Sequence, residues 1–303
     1  MGTSLTPIAG PPALPEDPSN PGFSPVGAAQ ATARVSLNGR IQAPLSRALP
    51  VRQAGFAVCG VCRGPAAPGT GRCWSCRQVL RQLAWTPPPV VPTFVFELGS
   101  PVHRALVGYK AAVTPAGREL RRGALAAWLR TWLRLHTECL HPSCDELLIV
   151  PVPSSAEGRP SWSGQHPLVD LCRQATEGLG AFVVADVLRA GERPPSRLQA
   201  SRHGYGTSTI EPLAGRNVVV VDDIFVSGSR LLSAAAALTL AGARVAGAVP
   251  VGRLVRPDHS LVTAAYWRHF GSTPVDRERC SACRRHGQSL ACGARRVVER
   301  IAA

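Results

Sequence analysis

Lysine and methionine are nearly missing from this sequence: each occurs once in a chain of 303 residues. Lysine and arginine together still number 34 against 19 acidic residues, so arginine supplies almost all of a net charge of +15. Such a strong arginine preference spreads basic residues without regard to function. We therefore interpret the charge chiefly as solvated or phosphate-attracting surface, with nucleic-acid binding as the alternative.

Long apolar runs are also missing. No stretch approaches the roughly 18 consecutive apolar residues of a membrane helix, which predicts no membrane span. The start of the chain lacks the basic residues and apolar run of a secretory signal, so we expect a cytoplasmic, reducing location. Residues 1–54 are rich in proline and alanine and poor in large apolar side chains. We expect this segment to be disordered, because it buries too little surface to offset its ordering entropy.

Cysteine is abundant, with ten residues. In a reducing compartment, clustered thiols bind metal more often than they form disulfides. Two CxxC pairs, Cys59 with Cys62 and Cys73 with Cys76, are separated by ten residues rich in turn formers. Four thiolates on two tight turns complete a tetrahedral site with no open position. Residues 55–86 are therefore predicted to form a small ribbon around a structural zinc ion.

Residues 259–303 form a basic tail with a second group of metal ligands. Cys280, Cys283 and Cys292 supply three thiolates, and the fourth ligand is either His286 or His269. Because the fourth ligand is ambiguous, a second zinc site and ordinary surface residues both remain open.

Residues 87–258 alternate between short apolar runs and helical patterns. The predicted strands cover 93–98, 147–152, 182–188, 218–221 and 245–251. The predicted helices include residues 229–240 and an apolar stripe made of Leu125, Trp128, Leu129, Trp132 and Leu133. This alternation predicts an α/β fold with a parallel sheet flanked by helices.

The segment 218–230 carries the clearest chemistry. Its apolar run is predicted to be a buried strand that ends at two aspartates, followed by a turn into the 229–240 helix. Ligands of open α/β sheets bind at the carboxyl ends of the strands, and a helix start favours phosphate. Carboxylates that accept from a sugar diol, next to a glycine and hydroxyls that suit a phosphate, predict a ribose 5-phosphate site. Its polar residues are Asp222, Asp223, Ser227, Gly228 and Ser229.

This segment resembles the acidic-acidic-x-x-Thr-Thr-Gly-x-Thr signature of type I phosphoribosyltransferases. With the cysteine ribbon before it and the Pro-Val-Pro loop at residues 151–153, the chain resembles the competence-associated ComF-type family over about residues 57–256. The resemblance implies a type I phosphoribosyltransferase-like fold that binds 5-phosphoribosyl 1-pyrophosphate (PRPP) with Mg²⁺. It also implies a flexible polar segment at residues 196–202 that closes over the site.

The resemblance assigns residues to three roles. The catalytic set that it implies is Asp222, Asp223, Lys110, Arg159 and Arg202. The phosphate loop that it implies is Val226, Ser227, Gly228, Ser229 and Arg230. The loop that receives the pyrophosphate is Pro151, Pro153 and Ser154.

Departures from the family pattern leave two functions open. Val226 and Arg230 replace threonines of the phosphate loop, and residues 163–166 differ from the family's Arg-Gly-Phe-Asn. The first function is an enzyme that transfers the phosphoribosyl group to a nucleobase or amine and releases pyrophosphate. The second is a catalytically weak PRPP-domain protein that binds nucleic acid or protein, as in DNA uptake. Pyrophosphate release from PRPP distinguishes the two.

Overall fold

The computed structural model describes residues 58–140, 146–153, 166–208 and 212–271, all within one compact unit. Several predictions lie outside the described residues: the disordered segment 1–54, Ser154, Arg159, Cys280, Cys283, His286 and Cys292.

Seven strands form a parallel sheet and a small hairpin. They are β1 (Val95–Glu97), β2 (Leu147–Pro151), β3 (Phe182–Val184), β4 (Leu188–Ala190), β5 (Tyr205–Thr207), β6 (Asn217–Phe225) and β7 (Arg244–Val255). The sheet has five strands in the order β1-β7-β6-β2-β3, and every neighbouring pair is parallel. Strands β4 and β5 pair antiparallel. The predicted parallel sheet flanked by helices is confirmed.

Six α-helices lie in the described part of the chain, and four of them lie between strands. They are α1 (Trp74–Leu83), α2 (Pro101–Ala111), α3 (Pro115–Leu140), α4 (Pro167–Thr176), α5 (Ser229–Leu240) and α6 (Leu261–Gly271), with a 3₁₀ turn at Pro257–His259. Helix α2 shows why a helix begins where it does. The Ser100 hydroxyl accepts from the backbone N–H of His103 at 3.2 Å, and proline follows at the first helical position, where no N–H is needed.

Alternate residues of the central strands pack into two separate cores. On β6, Val218 and Val220 face a core that contains α5 and residues 58–83, whereas Val219 and Val221 face α2, α3 and α4. Both faces are covered, which explains why the strand is apolar at every position rather than at every second one. The predicted stripe on α3 lies in the second core.

Strand boundaries differ from the sequence-based expectation, and β1 is shorter than the predicted 93–98. Strand β3 ends at Val184, and Leu188 belongs to the hairpin instead. Strand β7 extends beyond the predicted 245–251, and β6 continues through the two aspartates to Phe225, because β7 still pairs with it there (Phe225 with Arg253). Apolar pattern alone did not reveal this, since the added residues of β6 include both charged side chains.

None of the helices in the described part of the chain has the length and apolar character needed to cross a membrane.

Candidate functional site

The two aspartates lie on β6 beyond the point where β2 ends. Pairing between β2 and β6 stops at Val221, while pairing between β6 and β7 continues to Phe225. Asp222 and Asp223 therefore border an opening at the carboxyl edge of the sheet, although both are nearly buried, with 2% and 4% of their surface exposed. This edge is where open α/β sheets bind ligands.

Two cations and a hydroxyl surround the aspartates. The Lys110 ammonium lies 2.5 Å from Oδ2 of Asp223. The Arg230 guanidinium lies 2.9 Å from Oδ1 of Asp222 and 3.7 Å from Oδ1 of Asp223. The Tyr109 hydroxyl donates to Oδ2 of Asp223 at 3.3 Å. The protein thus brings together four of the sequence-predicted residues and balances their charge internally.

The surroundings move the pKa values of the two aspartates in opposite directions. Burial raises the pKa of Asp222 to about 6, and the nearby Arg230 only partly offsets this. Burial acts on Asp223 too, but the Lys110 ammonium outweighs it and lowers the pKa of Asp223 to about 2. Burial, followed by the charge of Lys110, lowers the pKa of His166 to about 4. At neutral pH the site holds two carboxylates and a neutral imidazole nearby.

The turn after β6 leads into helix α5 through a glycine. Gly228 has a φ of 87° and is the N-cap of α5, without a side-chain cap hydrogen bond. Among the residues that the structure describes, a Cβ at this position would lie 2.4 Å from the Phe225 ring, so the turn requires glycine for both conformation and space. The start of α5 can therefore offer its N–H groups and dipole to an anion.

The segment 195–202 covers this turn. The Ser227 hydroxyl donates to the backbone carbonyl of Arg197, and the Ser229 hydroxyl donates to those of Ser196 and Arg197. The two hydroxyls also lie 3.1 Å apart. The hydroxyls predicted to bind phosphate are thus engaged with the segment predicted to close over the site.

Helix α1 anchors the same segment from the other side. The Gln82 side chain donates to the carbonyl of Leu198 at 3.1 Å and accepts from the N–H of Ala200 at 2.6 Å. Arg202 donates to the carbonyls of Leu83 and Ala84 at the end of α1. Arg202, predicted to contact pyrophosphate, here fixes the segment to the helix and does not line the cleft.

A cleft of about 570 Å³ opens between these elements. Lys110, both aspartates, the 226–230 turn and residues 195–197 line it. Its size is within the range of small-molecule sites. Pro151, predicted for the pyrophosphate loop, is buried at the end of β2, and Pro153 is half-buried.

Sequence reasoning predicted that residues 196–202 close over the site, but it missed that Ser196 and Arg197 act through their backbone carbonyls, which leave no signature in residue type. It also left Tyr109 out of the site, although the residue stands next to Lys110. The signal available in the sequence was a tyrosine directly before the one lysine of the chain.

The four cysteines of the two CxxC pairs come together. Their sulfur atoms all lie within 4.8 Å of one another, and Sγ of Cys62 is 3.7 Å from Sγ of Cys73. A tetrahedral zinc ion with Zn–S bonds of about 2.3 Å would place its sulfurs about 3.8 Å apart. All four cysteines are buried, so the group can hold a metal ion without an open position.

Local hydrogen bonds build this cluster. The N–H of Cys59 donates to the carbonyl of Gly64 at 2.7 Å, which closes the first turn. The N–H of Gly60 donates to the carbonyl of Gly71 at 2.8 Å, which joins the first turn to the second. Cys73 caps helix α1 by accepting from the N–H of Cys76 at 3.4 Å. We call residues 58–83 the four-cysteine module.

No family model matches this chain. Part of it is similar to adenine phosphoribosyltransferases. The likeness to the enzyme of Mycolicibacterium vanbaalenii is 41% identity over 81 residues, which cover 24% of this chain and 45% of that enzyme. The likeness to the enzyme of Rhodococcus jostii is 42% identity over 80 residues, with 24% and 45% coverage.

The chain thus spans less than half the length of the curated relatives that it matches. Together with the parallel sheet, the likeness supports a phosphoribosyltransferase domain of type I fold in this chain.

Proposed function

We propose that this protein binds PRPP together with Mg²⁺ and transfers its phosphoribosyl group to a nitrogen nucleophile, releasing pyrophosphate. The observation that carries the proposal is the position of Asp222 and Asp223. They border a cleft at the carboxyl edge of a parallel sheet, directly before a glycine turn that opens a helix. The partial likeness to adenine phosphoribosyltransferases supports a nucleobase as the acceptor.

In this proposal, the turn 226–230 binds the 5-phosphate. The start of α5 supplies N–H groups and a favourable dipole, and Arg230 supplies positive charge. Ser227 and Ser229 become phosphate donors only after they release the carbonyls of Ser196 and Arg197. Ligand binding is therefore coupled to movement of the segment 195–202.

The ribose hydroxyls then donate to Asp222 and Asp223. Both aspartates are ion-paired, so they are acceptors for hydroxyls rather than an open set of metal ligands. Mg²⁺ would bind chiefly through the pyrophosphate oxygens, the type of ligand it prefers, and would neutralise charge there.

The reaction exchanges one bond at the anomeric carbon for another. The carbon–oxygen bond to pyrophosphate breaks, and the electron pair leaves with pyrophosphate. The acceptor nitrogen forms the new bond and loses its proton to solvent or to a base of the site. Lys110, whose side chain is 15% exposed and borders the cleft, is placed to stabilise the leaving group. Arg159 remains a candidate for the same role, whereas Arg202 would first have to leave the carbonyls of Leu83 and Ala84.

A second candidate function is a catalytically weak binding module. The observation that favours it is that Arg230 contacts both aspartates and that the segment 195–197 engages both serine hydroxyls. In this alternative, the cleft binds PRPP without efficient catalysis, and the basic surface binds nucleic acid or protein. The ComF-type resemblance suggests DNA uptake as its context.

Pyrophosphate release separates the two candidates. The full chain is incubated with PRPP and Mg²⁺ and with a panel of nucleobases and amines that includes adenine. The enzyme proposal expects pyrophosphate release that depends on one acceptor and is lost in Asp223→Asn. Glu119→Gln is the control and should leave the release unchanged, because Glu119 is exposed and pairs with Arg122 on α3. PRPP binding without acceptor-dependent release supports the binding module. Calorimetry that shows no PRPP binding to the folded protein sinks both.

A further inference from the structure

Arg253 is a buried cation between the four-cysteine module and the cleft. It lies on β7 opposite Phe225 in the parallel register, and only 5% of its surface is exposed. Among the described residues, its Nε and Nη1 atoms have no hydrogen-bond acceptor. Burying a guanidinium is costly unless an anion compensates it. The structure must therefore supply negative charge nearby.

On one side, the guanidinium packs against the first CxxC turn. A Cβ added at Gly64 would lie 1.8 Å from Nε of Arg253, so only glycine leaves room for this contact. The carbonyl of Gly64 closes the turn that presents Cys59 and Cys62. The guanidinium therefore packs against the turn that would hold two of the metal ligands.

On the other side, the guanidinium lies over an aromatic ring. Its central carbon is 4.8 Å from the centroid of Phe225, within cation–π range. Phe225 is 1% exposed, and its ring occupies the space that a Cβ at Gly228 would need. A continuous packed path therefore runs from the first CxxC turn at Gly64 through Arg253 and Phe225 to Gly228.

We propose that Arg253 is a positioning residue. The metal–thiolate cluster is its counter-ion, and Arg253 in turn holds Phe225 beneath the phosphate loop. Metal occupancy of the four-cysteine module then sets the anion affinity of the cleft. The part that concerns anion affinity rests on the proposed function, whereas the charge pairing does not.

The charge balance gives the reason for the coupling. Four thiolates and one divalent ion carry two negative charges, which offset Arg253 and the buried Arg63 that follows Cys62. Loss of the metal returns protons to the thiols, because metal and protons compete for the same sulfur atoms. Arg253 is then buried without a counter-ion, and it must move, taking support away from Phe225.

Arg253→Met tests the charge pairing in the full chain, with and without metal. The substitution removes the charge and keeps an unbranched side chain. In the metal-loaded protein we expect the Tm to fall by at least about 4 °C, and metal release to a chelator to speed up by about tenfold. In the metal-free protein we expect the same substitution to raise the Tm, because it removes an uncompensated charge.

A purely structural role predicts a different result, namely an equal fall of the Tm in both states, and that outcome overturns the proposal. Arg253→Lys keeps the charge and should restore most of the metal retention. Arg256→Met is the matched control, since Arg256 is exposed and pairs with Asp258 just beyond β7. If the metal-free protein shows no cooperative transition, an unchanged rate of metal release in Arg253→Met overturns the proposal.

The cleft is read out separately by calorimetry with PRPP and Mg²⁺. We expect metal removal and Arg253→Met each to weaken PRPP binding at least about tenfold, a change of the size seen when residues that support metal ligands are replaced. Unchanged PRPP affinity in both overturns the coupling. If the metal-loaded wild type binds no PRPP, the proposed function fails, while the opposite Tm shifts still decide the pairing of Arg253 with the cluster.

Discussion

The cleft and the four-cysteine cluster both bury charge, and they balance it differently. In the cleft, Asp222 and Asp223 face Lys110 and Arg230, so the protein neutralises its own aspartates. In the cluster, four buried cysteines lie beside Arg253, and a bound divalent metal ion would keep the sulfurs ionised. The charges of the cleft are therefore balanced without any ion, whereas we expect the cluster to need one.

This difference predicts what each region tolerates. Removing one partner of a buried ion pair lowers the free energy of unfolding by several kcal/mol, because the other charge is left uncompensated. A metal site loses its ion and part of its fold together, because binding free energy there is folding free energy. The substitutions below separate the two kinds of balance.

The largest effect is expected for Cys62→Ser. Three thiolates hold the ion poorly, so stoichiometric metal should disappear, and the free energy of unfolding should fall by at least about 3 kcal/mol. Elemental analysis and thermal unfolding measure both. Cys172→Ala is the control, since Cys172 is buried in the other core and is no part of the cluster. Full metal content in Cys62→Ser would refute the assignment of the cluster.

Gly228→Val should disable the cleft while the cluster stays loaded. The left-handed backbone disfavours a branched residue, and its Cβ would strike Phe225. We expect PRPP affinity to fall on the order of 100-fold. Gly215→Val is the matched control, because Gly215 has a φ of 74° and nothing described within 4 Å of an added Cβ. It should cost stability but not affinity; equal losses of affinity in the two variants would contradict the role of this contact.

The sequence identified residues of the cleft but not the contacts between them. An apolar run followed by Asp222 and Asp223 identified β6, because a strand covered on both faces is apolar at every position. The pairing of Lys110 with Asp223 was not predictable, since the two are far apart in sequence and meet only through the packing of α2 on the sheet. The resemblance placed Lys110 in the site without giving its partner.

The cluster shows the same limit. Spacing alone identified Cys59, Cys62, Cys73 and Cys76, because two CxxC turns need only a short connection to meet. Arg253 was missed, although a lone charge inside the apolar run of β7 was a signal. Its role depends on Gly64, which lies far away in sequence and leaves space for the guanidinium. Such tertiary contacts have no periodic pattern.

Asp222→Asn should remove a pH dependence of PRPP binding. The pKa of Asp222 is raised to about 6 in the folded protein, so its carboxylate forms, and PRPP affinity should rise, as the pH increases through 6. The substitution should weaken binding at pH 8 by ~1.5–3 kcal/mol, the range for charge-assisted hydrogen bonds. The phosphate of PRPP also titrates near pH 6. Calorimetry should therefore compare PRPP affinity against pH in the wild type and in Asp222→Asn. The same change of affinity near pH 6 in both would contradict the assignment of this titration to Asp222.

The two aspartates also predict opposite effects of pH on stability. The pKa of Asp222 is raised above its ordinary value, so the folded state binds more protons and the contribution of Asp222 falls as the pH rises from about 4 to about 6. The pKa of Asp223 is lowered to about 2, so its contribution is present above about pH 4 and is lost as the pH falls towards 2. Asp222→Asn should remove the first effect and keep the second.

Arg230→Thr should have the smallest effect on PRPP affinity. It tests whether the pairing of Arg230 with the aspartates favours ligand binding. Arg230 lies 2.9 Å from Asp222 at the start of α5, so it both stabilises that carboxylate and adds positive charge where the phosphate is expected. We expect PRPP affinity to fall about three- to tenfold, or roughly 1 kcal/mol. Arg216→Thr is the control, because Arg216 pairs with Glu146 on the surface. A rise in affinity or turnover would show instead that Arg230 fills space needed by the ligand. The charge balance of the cleft would then be a closed state that PRPP must displace.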